Sequence, residues 1–136
     1  ELVNRLVGRS FIGQKDTVIE IGPGKGIITN ILLQKTKTVI AIERDPILYS
    51  QLEQRFRSYS NLDLICADFL SLTLPKTPYK IFANIPFSIE GKIIRKLIDS
   101  QNPPEDCYLI MRKELTERLS GIPKKRIIRD HPQTVV

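Results

Sequence analysis

From residue 17 onward, short apolar runs alternate with segments of helical period, and this alternation narrows the choice of fold more than any other feature. "TVIEIG" (17–22), "KTVIAIE" (37–43), "LDLICA" (62–67), "YKIFAN" (79–84) and "CYLIM" (107–111) are short, apolar and rich in β-branched or aromatic residues. Runs of that kind read as buried strands. Between them Ile27, Ile28, Ile31 and Leu32 follow helical spacing, as do Leu48, Leu52 and Phe56 after the cap at Asp45-Pro46. Ile89, Ile93, Ile94, Leu97 and Ile98 make one helix face, with Lys92, Arg95, Lys96 and Asp99 opposite. Leu2, Leu6 and Val7 open the chain on a helix, and "RKELTERL" reads as a helix after the fifth strand. "GIPKKRIIRDHP" reads as loop and "QTVV" as one last short strand. Strands that are apolar throughout need cover on both faces, so the expectation is an α/β fold with a mostly parallel, twisted sheet and helices on both sides. Ligands of such sheets bind at the carboxyl ends of the strands, near the topological switch point.

The chain has 136 residues, 41% of them apolar, which suits one globular domain with one core. No apolar run approaches the roughly 20 residues that a membrane span needs. No signal-peptide pattern is visible, and the start at Glu1 instead of methionine suggests missing upstream residues. A cytoplasmic monomer is expected. Cys66 and Cys107 lie inside apolar runs and read as reduced, buried thiols. There is no CxxC, so no metal site is expected. His131, beside a proline near the chain end, reads as surface. The net charge is +6, and residues 112–136 hold seven basic side chains against three acidic ones. A solvated surface accounts for such a run, and so does contact with a polyanion, nucleic acid above all. Lys124, Lys125 and Arg126 are consecutive and are the expected phosphate contacts.

"EIGPGKG" places Gly22, Gly24 and Gly26 between the first strand and the following helix. Glycines there let the backbone approach a ligand, and the helix start offers free N–H groups. A dinucleotide loop would read G-x-G-x-x-G, whereas Ile27 follows Gly26 directly here; a plain tight turn also fits. Glu43 ends the second strand, where an acid accepts from the two ribose hydroxyls of a nucleoside or is simply a charged strand end. Asp68 ends the third strand, where an acid accepts from the exocyclic amine of an adenine or caps the next turn. Together, at the ends of three consecutive strands, they outline a site shaped for adenosine.

"VIEIGPGKGIIT", "AIERD", "CADFL" and "FANIPFSI", in that order, resemble the motifs of the ribosomal RNA adenine N6-methyltransferases, which include the small-subunit dimethylases and the Erm-type enzymes of macrolide resistance. The resemblance covers about Leu2 to Gly121. It implies a Rossmann-like class I fold and S-adenosyl-L-methionine as cofactor, with ribosomal RNA as partner. Gly22, Gly24 and Gly26 would then line the methionine end, with Glu20 nearby. Glu43 would hold the ribose. Asp68 would read the cofactor's adenine amine, with Ala67 or Phe69 beside the ring. Asn84, Ile85, Pro86 and Phe87 would carry the catalysis. An adenine amine is a poor nucleophile, so it needs positioning and acceptors that draw it toward tetrahedral geometry. The Asn84 side-chain oxygen and the Ile85 carbonyl are suited to this, Pro86 stiffens the turn, and Phe87 would stack on the flipped base. Members of the family with tyrosine at the last position differ from this chain only by a hydroxyl.

Lys25, and "NIPF" in place of "NLPY", favour the Erm-type branch acting on large-subunit (23S) RNA and giving antibiotic resistance. A small-subunit dimethylase serving ribosome maturation is the alternative. An NAD-dependent oxidoreductase is a reading of another class, disfavoured by the five-residue glycine loop. So is a non-catalytic RNA-binding relative, disfavoured by an intact Asn84 and Phe87. The family also carries a Gln-Asn-x-Leu segment before the first helix and a helical C-terminal RNA-binding domain. These residues include neither. The expectation is therefore a catalytic, cofactor-binding domain over 1–121, followed by a basic loop and possible last strand of the same domain over 122–136.

Overall fold

The computed structural model describes residues 2–85, 88–112, 128–130 and 133–135. Seven strands form one sheet in the order β3-β2-β1-β4-β5-β7-β6. These are β1 (Thr17–Ile21), β2 (Thr38–Glu43), β3 (Leu62–Cys66), β4 (Lys80–Asn84), β5 (Cys107–Arg112), β6 (Ile128–Asp130) and β7 (Gln133–Val135). β1 to β5 are parallel, whereas β7 runs antiparallel to both β5 and β6. The chain first winds outward from β1 through β2 to β3, then returns to place β4 on the other side of β1. The switch point lies between β1 and β4.

Helices cover both faces. α1 (Leu2–Arg9), α2 (Ile27–Lys35) and α3 (Pro46–Phe56) pack on one side, where Leu6, Val7, Leu32, Leu52 and Phe56 meet Val18, Val39 and Phe82. On the other side, α4 (Glu90–Ile98) and a 3-10 turn at Phe69–Ser71 place Ile93, Leu97 and Phe69 against Ile19, Ile81 and Leu109. Asp45 starts α3 as expected: its Oδ1 accepts from the Ile47 N–H at 2.8 Å, and Pro46 takes the first helical position.

Four expectations are corrected. Ile128–Asp130 is a strand, not loop; it acquires a partner only because β7 folds back beside it. β3 is the sheet edge and half-exposed, so Cys66 at its end is exposed instead of buried. Cys107 is half-buried, and desolvation pushes its thiol up to about 12, which keeps it protonated and unreactive. Ile98 is 63% exposed, because the buried stripe of α4 runs through Ile93 and Leu97 and the next residue turns about 100° away from it. Of the expected helix "RKELTERL", Arg112 instead ends β5, and the rest, like His131, lies outside the described residues.

Candidate active site

The carboxyl ends of β1, β2 and β4 lie side by side around the switch point, and Gly22, Glu43 and Asn84 of the expected site residues stand there. Glu20 and Ala41 are register partners in β1 and β2, and Glu20 also pairs with Phe82 of β4. Two residues further along each strand stand Gly22, Glu43 and Asn84. Side chains two apart share a face, so Glu43 and Asn84 flank the glycine position on one side of the sheet.

The loop 22–26 is held open by its glycines and tethered by Glu43. Gly24 has φ 57°, and a Cβ placed on it would meet open space. Its N–H donates to Glu43 Oε2 at 3.0 Å, while Glu43 Oε1 accepts from the Asp45 N–H at 2.9 Å. Glu43 thus fixes both the loop and the start of α3, and each of its oxygens keeps a second lone pair for a hydroxyl donor. The backbone carbonyl of the same residue accepts from the Ala67 N–H at 3.0 Å, linking β2 to the segment that carries Asp68.

Glu20 is placed differently from the other acids. It is 1% exposed and faces α2, where its Oε2 accepts from Thr29 Oγ1 at 2.6 Å and its Oε1 has no partner. Burial raises its carboxyl to about 8, against the pull of the Thr29 hydrogen bond. Burial therefore favours its neutral form, and the side chain is engaged with Thr29 of α2.

Asp68 is half-buried and caps the 3-10 turn, its Oδ1 accepting from the Leu70 N–H at 3.0 Å. Asn84 is the single exposed residue of β4, whose other four residues are buried. Ile85 is buried, and its N–H donates to the Ile110 carbonyl at 3.3 Å, anchoring the residue after Asn84 to β5. Pro86, Phe87, Lys124, Lys125 and Arg126 lie outside the described residues.

Sequence reasoning missed three participants. Thr29 partners Glu20, and Lys96 reaches the turn after Asp68. Arg55 stacks on Phe56, 5.0 Å from the ring centroid, and donates to the Lys25 carbonyl, bracing the loop from α3. The three hydrogen bonds span separations of 9 to 30 residues and leave no local signal. A cavity of about 230 Å³ between Gly24, Lys25, Gln51, Leu52 and Arg55 lies beside the loop; of the expected site residues only Gly24 lines it.

A family model described as "Ribosomal RNA adenine dimethylase" matches residues 1–129. The chain belongs to the ribosomal RNA adenine dimethylase family. A curated relative from Ureaplasma urealyticum, "Ribosomal RNA small subunit methyltransferase A", is 37% identical over 131 residues. That match covers 89% of this chain and 46% of the relative, so the chain spans about half the length of the curated relatives it matches. Among solved structures, the 23S rRNA methyltransferase ErmE superposes with a TM-score of 0.80 at 23% identity, covering 88% of this chain and 49% of that one. An RNA methyltransferase from Salinibacter ruber, in complex with S-adenosyl-L-homocysteine, superposes with a TM-score of 0.80 at 14% identity, covering 98% of this chain and 86% of that one. The fold is the Rossmann-like class I fold of S-adenosylmethionine-dependent methyltransferases.

Proposed function

We propose that this protein transfers a methyl group from S-adenosyl-L-methionine to N6 of an adenine in ribosomal RNA, and that the RNA is that of the small subunit. One observation carries the catalytic reading: an exposed Asn84 ends an otherwise buried strand, at the switch point, beside a glycine loop tethered by Glu43. The residues present fit the cofactor. Gly22 and Gly24 leave room for its methionine end, Glu43 offers acceptors to the ribose, and Asp68 offers one to the adenine amine. When bound, S-adenosylmethionine supplies a sulfonium methyl: the N6–C bond forms as the S–C bond breaks, and the amine loses a proton to water.

The chain's own part is to hold and orient. The Asn84 side-chain oxygen and the Ile85 carbonyl accept from the target amine and draw it toward tetrahedral geometry, which strengthens as charge develops on nitrogen. Phe87 stacks on the base after it leaves its helix. Lys124, Lys125 and Arg126 contact phosphates, so RNA affinity falls steeply with salt and neutralising them flattens the slope.

The small-subunit assignment departs from the Erm-type branch expected from Lys25 and "NIPF". Curated relatives at 30% to 37% identity carry the small-subunit name, whereas ErmE is 23% identical. Two positions next to the cofactor and the target base say little about which RNA presents that base. Methylation with radiolabelled cofactor, on small-subunit RNA and small subunits against large-subunit RNA, tests both parts. Label in small-subunit RNA is the expected result. Label confined to large-subunit RNA would return the protein to the Erm-type reading, and none in either would leave it without this activity.

A further inference from the structure

Lys96 lies on the face of α4 that the sequence assigns to solvent, yet its ammonium turns back to the segment after β3. Nζ donates to the carbonyls of Phe69 at 2.9 Å, Leu70 at 3.0 Å and Leu72, so all three of its protons are used on one short turn. The same nitrogen lies 5.2 Å from the centroid of the Phe69 ring, which is buried in the core. The Phe69 ring, with Leu70 and Leu72 packed on the same core, anchors the side chains of the turn, and its backbone is held by short local hydrogen bonds. Within it, Leu72 N–H donates to the Phe69 carbonyl at 3.2 Å, Ser71 N–H donates to the Asp68 carbonyl at 3.0 Å, and Ser71 Oγ reaches that carbonyl at 2.8 Å. A 3-10 turn of three residues has poor hydrogen-bond geometry and little stability of its own. Its N-cap is Asp68, so the path of the turn decides where the Asp68 carboxylate points.

We propose that Lys96 is a positioning residue for cofactor recognition: by gathering the carbonyls of Phe69, Leu70 and Leu72 it fixes the turn that aims Asp68 at the adenine amine. The inference rests on the reading of Asp68 given above. It also joins the two halves of the site. α4 starts at Glu90, shortly after the catalytic turn at Asn84, so one helix supports the target-base side and, through Lys96, the cofactor's adenine side. A merely structural lysine would support the fold without favouring one purine over another.

The test compares two ligands by calorimetry: S-adenosylhomocysteine, and its analogue with hydrogen in place of the 6-amino group. The parent protein is expected to prefer the amine-bearing ligand by about tenfold or more, as for a hydrogen bond to a charged acceptor. Lys96→Met and Asp68→Ala should each reduce that preference to about threefold or less, while affinity for the 6-hydrogen analogue changes by less than about threefold. Thermal denaturation checks the fold; if Lys96→Met does not fold, Lys96→Gln, which keeps two N–H donors without the charge, is measured by the same ratio. A lysine variant that keeps the parental preference, or weakens both ligands equally, while Asp68→Ala loses the preference, overturns the role of Lys96 and leaves Asp68 standing. An Asp68→Ala protein with the parental preference overturns the adenine reading and this inference with it.

Discussion

Asn84 and Glu20 are both polar residues in apolar strands, and burial sends them to opposite tasks. Asn84 is exposed at its strand end, where, under the proposed function, its acceptor oxygen would meet the target amine. Asn84→Ala is expected to lower kcat by about 100-fold or more, the scale of losing one preorganised polar group, with cofactor affinity nearly unchanged. Single-turnover methylation beside calorimetry checks this; a variant as fast as the parent would make the residue structural. Glu20 is enclosed, with one oxygen unpartnered and a carboxyl raised from 4.5 to about 8. Between those two values the folded state holds a proton that the unfolded state has released. Its contribution to stability is therefore complete below pH 4.5 and is lost as pH rises toward 8. The slope is at most about 1.4 kcal/mol per pH unit. Glu20→Gln mimics the protonated acid, so the parent's urea midpoint should fall relative to the variant's as pH rises across that range. Parallel curves would mean that Glu20 is ionised inside the fold.

At the scale of elements, packing calls for glycine in the loop at Gly26. Gly26 caps α2 at φ 80°, and a Cβ there would lie 2.6 Å from Phe56 Cε2 and 2.8 Å from Leu52 Cδ2. Both belong to the buried face of α3. Gly26→Ala is expected to cost about 2–4 kcal/mol, from left-handed backbone strain plus overpacking. Urea denaturation measures it, and a loss below 1 kcal/mol, the order of an ordinary surface change, would refute the contact. These elements were legible because their signals are local. Five strands are apolar runs, α3 opens on Asp45-Pro46, and glycines mark the loop. What was not legible depends on distant partners. β6 is polar at Arg129 and Asp130 and becomes a strand only by pairing with β7. Lys96 has the sequence signature of a solvated helix face, and only the fold brings the three carbonyls of the turn to it. Cys66 lies in an apolar run like those of the central strands, but sheet order, which no local pattern encodes, puts it at an edge.

For the molecule as a whole, the sheet divides the work between its ends. The carboxyl ends of β1, β2 and β4 hold the polar, partly open groups of the site, while the amino end of β4 is closed by a charge network around Lys80. Its Nζ donates to the Phe11 carbonyl and to Asp16 Oδ2 at 3.0 Å, and lies 3.6 Å from Asp106 Oδ2. Asp16 Oδ2 also accepts from the Gly13 N–H at 2.7 Å. One lysine thus ties the α1–β1 connection to the segment that enters β5, across the centre of the sheet. Its side chain is 11% exposed and its partners 20% and 23%, so the network is shielded without being dry. Removing only the cation leaves two carboxylates and a carbonyl facing one another. Lys80→Met is therefore expected to cost about 2–3 kcal/mol, below the full penalty of a broken buried pair because water reaches the acids. Because the lesion sits at the end of β4 remote from Asn84, the affinity for S-adenosylhomocysteine of the folded fraction should stay within about threefold of the parent. Chemical denaturation and calorimetry on the same protein separate the two ends. A Lys80→Met chain that keeps its stability but loses cofactor affinity would mean that the two ends of the sheet are not independent.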